Sequence, residues 1–204
     1  MVRAGGSSPR PAGRMRGHDL KKRKRSMLRA VAGALALGLV VVGAASPVVA
    51  HGPSRQKVTE KVEIPAPAAK VWAVIGKFQD MSWHPAIEKT EGSGGNEPNA
   101  TRKLTLKGGG VIEEKLVKYA DGKSFSYEIT NVDVKVLPVS NYSSTISVSE
   151  EGGKSVVEWK GAFYRGYVNN DPPPELSDEA AVKAVTGVYK AGLEALKAKV
   201  GAGG

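Results

Sequence analysis

Residues 178–200 read DEAAVKAVTGVYKAGLEALKAKV, and this stretch decides how the rest of the chain must be arranged. Val182, Val185, Tyr189, Leu193, Leu196 and Val200 step by three and four residues. They fall on one side of a helix of about 23 residues, roughly 35 Å long. Ser177 or Asp178 can cap its start, where Asp178 and Glu179 face the positive end of the helix dipole, and Lys197 and Lys199 sit near the negative end. A helix with a single apolar stripe needs an apolar cover, and a sheet with one face to bury is the natural one.

The preceding sequence supplies that sheet. Residues 155–164 carry Val157, Trp159, Gly161 and Phe163 on one face, and 139–149 alternate through Ile146 and Val148. Residues 124–130 place Phe125, Tyr127 and Ile129 opposite Ser126 and Glu128. Residues 111–119, 102–107 and 87–91 complete the run. Turn signals separate these stretches: Gly152-Gly153, Asp121-Gly122, Gly108-Gly109-Gly110 and the segment 92–96. The triple glycine lacks the strand-to-helix setting of a phosphate loop and reads as a turn. Earlier, 57–64 reads as a strand that Pro65 and Pro67 end. Val71, Trp72, Ile75 and Phe78 then predict a short helix through Lys77, with a second helix or tight loop over 78–85. The expectation is an α+β domain: a curved antiparallel sheet of about six to seven strands packed around a long C-terminal helix. Two surfaces of different curvature leave a cavity between them, the default ligand site.

Charge sets the domain's boundary. The chain carries 30 Lys+Arg against 20 Asp+Glu, yet ten of the basic residues lie in the first 29 positions with only Asp19 beside them. An uncharged stretch of 21 residues, 30–50, follows and ends in Pro47-Val48-Val49-Ala50. Basic region, apolar region and small residues before a cut form the layout of a secretory signal peptide, here 1–50. An uncleaved anchor of that length would also span a bilayer. Either way the domain, 51–204, lies outside the cytoplasm, periplasmic or secreted, and touches the membrane only through the leader. Segment 24–29 loosely matches a twin-arginine signal, so the export route, like the start codon, stays open. Without the leader, 20 basic and 19 acidic residues remain, net +1. A nucleic-acid partner wants a basic domain, so that class is set aside. The absence of cysteine excludes disulfides, thiolate metal sites and Cys nucleophiles.

The order of elements, with Val62-Glu63-Ile64-Pro65-Ala66-Pro67 leading into Val71-Trp72, then Trp83-His84-Pro85 and the long last helix, resembles the START-like (SRPBCC, polyketide cyclase/dehydrase) superfamily. Its fold is called the helix-grip. Within it the chain resembles the MxaD-like periplasmic proteins, in His51-Gly52-Pro53, Leu137-Pro138-Val139-Ser140-Asn141-Tyr142, Val157-Glu158-Trp159, Phe163-Tyr164-Arg165-Gly166 and 178–184. That resemblance implies an accessory role in methanol oxidation, assisting methanol dehydrogenase and its cytochrome c acceptor, without a cofactor of its own. Two other functions belong to the superfamily: carriage of a small hydrophobic ligand or lipid, and catalysis of the cyclase or hydrolase type.

Candidate site residues follow. His84, the only histidine inside the fold, could act as a general base or orient a ligand, or simply bond backbone and fix its turn. Trp83, Tyr127, Tyr142, Trp159 and Tyr164 are candidates to line the cavity, although aromatics on an inward sheet face are also ordinary core. Arg165, beside a loop of three prolines, could take an anion or a partner, or be a solvated surface side chain. Arg102, Glu113 and Glu114 could add polar groups, but Glu113 and Glu114, adjacent on a strand, point to opposite faces. His51, the expected mature N-terminus, offers an amine and an imidazole to copper, with an incomplete ligand set.

Overall fold

The computed structural model describes residues 52–202. The leader, the cut near Ala50 and His51 lie outside the described residues. The elements run β1 (Gln56–Ile64), α1 (Ala68–Ile75), β2 (Ile87–Ser93), β3 (Thr101–Leu106), β4 (Val111–Ala120), β5 (Ser124–Val132), β6 (Val139–Glu151), β7 (Lys154–Arg165) and α2 (Asp178–Ala202). A single 3-10 turn, Pro174–Leu176, leads into α2.

All seven strands form one antiparallel sheet in the order β1-β7-β6-β5-β4-β3-β2. Five neighbouring pairs are consecutive in the chain; β1 and β7 are the exception, joined across its length. Cross-strand partners share a face, so Phe125, Ile146 and Trp159 line up on one side. Both helices lie on that side. Trp72 of α1 meets Phe125, and Tyr189 of α2 stacks on Trp159 at 4.4 Å between ring centroids. The core therefore sits between one sheet face and two helices. No described helix covers the other face.

α2 forms as its stripe requires. Val185, Tyr189, Leu193, Leu196 and Val200 are buried, and Ser177 Oγ accepts the Ala180 N–H at 3.1 Å as a cap. α1 stops at Ile75, two residues short of the sequence expectation. The Phe78 N–H, which a continuing helix would give to the Val74 carbonyl, goes to Asn96 Oδ1 at 2.9 Å, and Asn96 Nδ2 and the Tyr119 hydroxyl take the Gly76 carbonyl at 3.0 and 2.9 Å. At its start, Glu150 of β6 accepts the free Ala68 N–H at 2.8 Å, because Pro67 has no capping side chain. Segment 78–86 is a series of turns with no second helix. β2 continues to Ser93, taking in the first residues expected to turn.

Candidate functional site

A cavity of about 110 Å³ lies between the sheet and α2. Its walls are chiefly apolar, among them Ile87, Leu104, Ile112, Ile129, Leu137 and Val188. Four titratable side chains reach it: His84, Glu114, Tyr127 and Tyr142. The indole of Trp159 completes the wall.

His84 is fixed by backbone at both ring nitrogens. Nε2 donates to the Val188 carbonyl of α2 at 3.0 Å, and Nδ1 accepts the Ala86 N–H at 3.2 Å. The two bonds define the neutral tautomer with its proton on Nε2. Burial pushes the imidazole pKa down, outweighing the raising effect of the Val188 carbonyl. The ring reaches so close to α2 because residue 192 is glycine. A Cβ there would stand 2.6 Å from His84 Cδ2 and 2.8 Å from Trp159 Cζ3.

The tyrosines form a closed network. Tyr142 and Tyr189 share a hydrogen bond of 2.6 Å between hydroxyls, and the Tyr189 hydroxyl lies 3.0 Å from Ser144 Oγ. The Trp159 N–H is divided between Tyr127 Oη and Ser144 Oγ, each at 3.0 Å. Ser144 in turn donates to the Lys160 carbonyl at 2.9 Å. Burial raises all three phenols, Tyr127 to about 12, and the nearby Glu114 charge adds to the effect at Tyr127 and Tyr189. They stay protonated at neutral pH. Gly161 makes room for the network, since a Cβ there would meet the Tyr189 hydroxyl.

Beside them lies a buried ion pair. Arg102 Nε donates to Glu114 Oε2 and its Nη1 to the Phe78 carbonyl at 2.7 Å. The guanidinium carbon sits 4.3 Å from the Phe78 ring centroid and 4.9 Å from that of Tyr127. Burial raises the Glu114 pKa, and Arg102 opposes that rise. The sequence carries a signal for this pair: Arg102 shares strand parity with Leu104, and Glu114 with Ile112 and Leu116. Parity puts two opposite charges on the inward face of adjacent strands, and the register then pairs them directly.

Three sequence candidates stand elsewhere. Tyr164 is turned to the opposite sheet face, with the Arg55 guanidinium 5.5 Å from its ring centroid. Its neighbour Phe163 holds the inward position, and adjacent strand residues cannot share a face. Arg165 is buried and forms no part of the cavity wall. Its fork donates to the carbonyls of Tyr167 and Asn169 at 2.9 and 2.8 Å and to Asp178 at 3.2 Å, tying the proline loop to the start of α2. It is neither a solvated side chain nor a free anion site. Trp83 is buried beside His84 and Trp159, donates to the Asp80 carbonyl at 3.1 Å, and stands behind the cavity wall. Among the described residues no cluster of three His, Cys, Asp or Glu side chains could hold a metal ion, and no helix is long and apolar enough to cross a membrane.

A seven-stranded antiparallel sheet gripping a C-terminal helix over an interior cavity defines the helix-grip, SRPBCC-like class. Within it, the chain belongs to the polyketide cyclase / dehydrase and lipid transport family, whose model matches residues 55–201. An uncharacterized protein from Bacillus thuringiensis is 34% identical, with a TM-score of 0.61, covering 71% of this chain and 98% of its own. The protein XoxI from Bacillus cereus is 33% identical, also at a TM-score of 0.61, covering 71% of this chain and 94% of its own. Norcoclaurine synthase from Thalictrum flavum, solved with dopamine and hydroxybenzaldehyde, shares the fold at 18% identity and a TM-score of 0.56, over 73% of this chain and 88% of its own. No curated protein matches the chain.

Proposed function

We propose that this protein is a non-catalytic binding member of its family, exported from the cytoplasm, that assists methanol dehydrogenase and its cytochrome c acceptor. One observation carries the non-catalytic part. Each of the four titratable side chains in the cavity wall already holds a protein partner: His84 the Ala86 and Val188 backbone, Glu114 Arg102, Tyr127 Trp159, and Tyr142 Tyr189. General acid–base work needs a group within reach of the substrate proton. Here His84, the one group with an ordinary pKa near neutrality, has both ring nitrogens bonded to backbone and would first have to give up a bond that fixes its turn or α2. The accessory role rests on the resemblance of 137–142, 157–159, 163–166 and 178–184 to MxaD-like proteins. In a reconstituted assay, stoichiometric protein should raise the rate of electron transfer from the dehydrogenase to cytochrome c. An unchanged rate would overturn the role.

The cavity favours a second reading, carriage of a compact ligand. Its volume of about 110 Å³ falls below the ~300 Å³ at which ligand pockets usually begin, and below the ~150 Å³ of an apolar cavity that takes benzene. A lipid chain does not fit it; a molecule of a few heavy atoms with an apolar body and one donor for Glu114 does. Native mass spectrometry of the purified protein should show such an adduct, and bare protein alone would count against carriage.

A further inference from the structure

A second concavity lies on the sheet face that no described helix covers, away from the cavity and both helices. It is a trough of about 540 Å³. Two cross-strand rows build it. The first runs Lys118, Ser126, Thr145, Lys160, Thr59, and the second Lys115, Glu128, Ser143, Ala162, Lys57. Serine, threonine and alanine make a low floor, where Ser126 and Thr145 share a 2.8 Å hydrogen bond. Lysines stand at its sides. Lys118 and Lys160 are three strands apart, about 14 Å at the usual strand spacing.

The charge is one-sided. Glu128 is the only acid lining the trough, and Lys115 pairs with it at 2.7 Å. Lys57 and Lys118 form no ion pair among the described residues, and Lys160 reaches only Glu158, at 3.5 Å. Lys57 and Lys118 thus leave unpaired positive charge in the lining of the trough. Val117 follows the inward-facing Leu116 and so points outward, 42% exposed, beside the same trough, and the β4 bulge between Leu116 and Lys118 keeps Lys118 on that side as well. A hydroxyl floor, flanking lysines and one apolar side chain make a protein-docking surface, and a width of about 14 Å exceeds what a single small anion can bridge.

We propose that this trough docks an acidic segment of a protein partner, whose carboxylates span Lys57, Lys118 and Lys160. The inference deepens the accessory reading and rests on it only for the partner's identity. The test uses the 15N-labelled protein and a glutamate decapeptide at low salt. Amide shifts should cluster on Lys118, Ser126, Thr145, Lys160 and Ala162, and fade in high salt. The double variant K57E/K118E, altered at exposed sites only, should keep its melting temperature and bind the peptide at least about tenfold more weakly. Shifts scattered over all surface lysines, or equal affinity in the double variant, would overturn the proposal. Inorganic phosphate producing the same shifts at the same affinity would also overturn it, in favour of a small-anion site. A second arm separates the two readings. If wild-type protein and the double variant accelerate dehydrogenase–cytochrome transfer equally, the trough proposal falls and the accessory reading stands. If the peptide binds the trough but wild-type protein leaves transfer unchanged, the accessory reading falls and the docking surface stands.

Discussion

Replacing either of two glycines on the same helix by alanine should change stability in opposite directions. Gly187 and Gly192 both lie inside α2, where alanine is favoured over glycine by about 1 kcal/mol. At Gly187 a Cβ would meet nothing within 4 Å, so Gly187→Ala should gain that amount. At Gly192 the new methyl would stand 2.6 Å from His84 Cδ2, 2.8 Å from Trp159 Cζ3 and 3.0 Å from His84 Nε2. Both rings are buried and bonded, so neither can swing away freely. Overpacking of this kind costs about 1–3 kcal/mol, and pushing His84 off the Val188 carbonyl loses about 1 more. After the helical gain is subtracted, Gly192→Ala should be destabilised by about 1–3 kcal/mol. For a domain of this size each kcal/mol moves the midpoint by about 2–4 °C. Thermal melts followed by circular dichroism should show Gly187→Ala rising by about 2–4 °C and Gly192→Ala falling by about 2–12 °C. If both rise together, helix propensity decides at Gly192, and the close approach of His84 to α2 is refuted.

Three further outcomes follow from the buried polar groups. Arg102→Met should lower unfolding free energy in urea by about 3–5 kcal/mol, since it strands Glu114 without its partner; a loss below about 1 kcal/mol would mean the pair is not buried in solution. Tyr189→Phe should cost about 1–3 kcal/mol by leaving Tyr142 and Ser144 short of a partner, measured the same way. His84 has a folded pKa held below its unfolded value of 6.5, so the unfolded state takes the proton first as pH falls. Its contribution is complete above about pH 6.5 and is lost as pH drops through the folded pKa; melting temperature should decline on that acid side, and the decline should be absent in His84→Gln.

Much of the architecture was legible because each local signal had one geometric meaning. Val157, Trp159 and Phe163 alternate, and alternation assigns a face; Asp121-Gly122 marks a hairpin; the stripe from Val182 to Val200 defines a helix with one covered side. What escaped depends on contacts between distant segments. Tyr189 reads as one more apolar member of its stripe, yet its hydroxyl closes a network with Tyr142 and Ser144, 47 and 45 positions away. The end of α1 depends on Asn96, far along the chain, whose side chain takes the Phe78 N–H that a longer helix would need. Arg165 reads as a surface charge, since nothing local says that Asp178 and two carbonyls converge on it. Arg102 and Glu114 were visible as polar candidates, but their pairing needed the β3–β4 register as well as each strand's parity.

The joining of β1 to β7 also has a kinetic meaning. Gln56 pairs with Phe163 and Ile64 with Ser155, so the first strand made waits for the last. The five hairpins between β2 and β7 can form from neighbouring sequence, whereas this seam must close a loop of about a hundred residues, the slow kind of contact in folding. Until β7 and α2 have left the ribosome, β1 has no partner and the gripped helix no core to enter. The hairpins can therefore form early on the nascent chain, but the β1 seam and the core close together only once β7 and α2 are available.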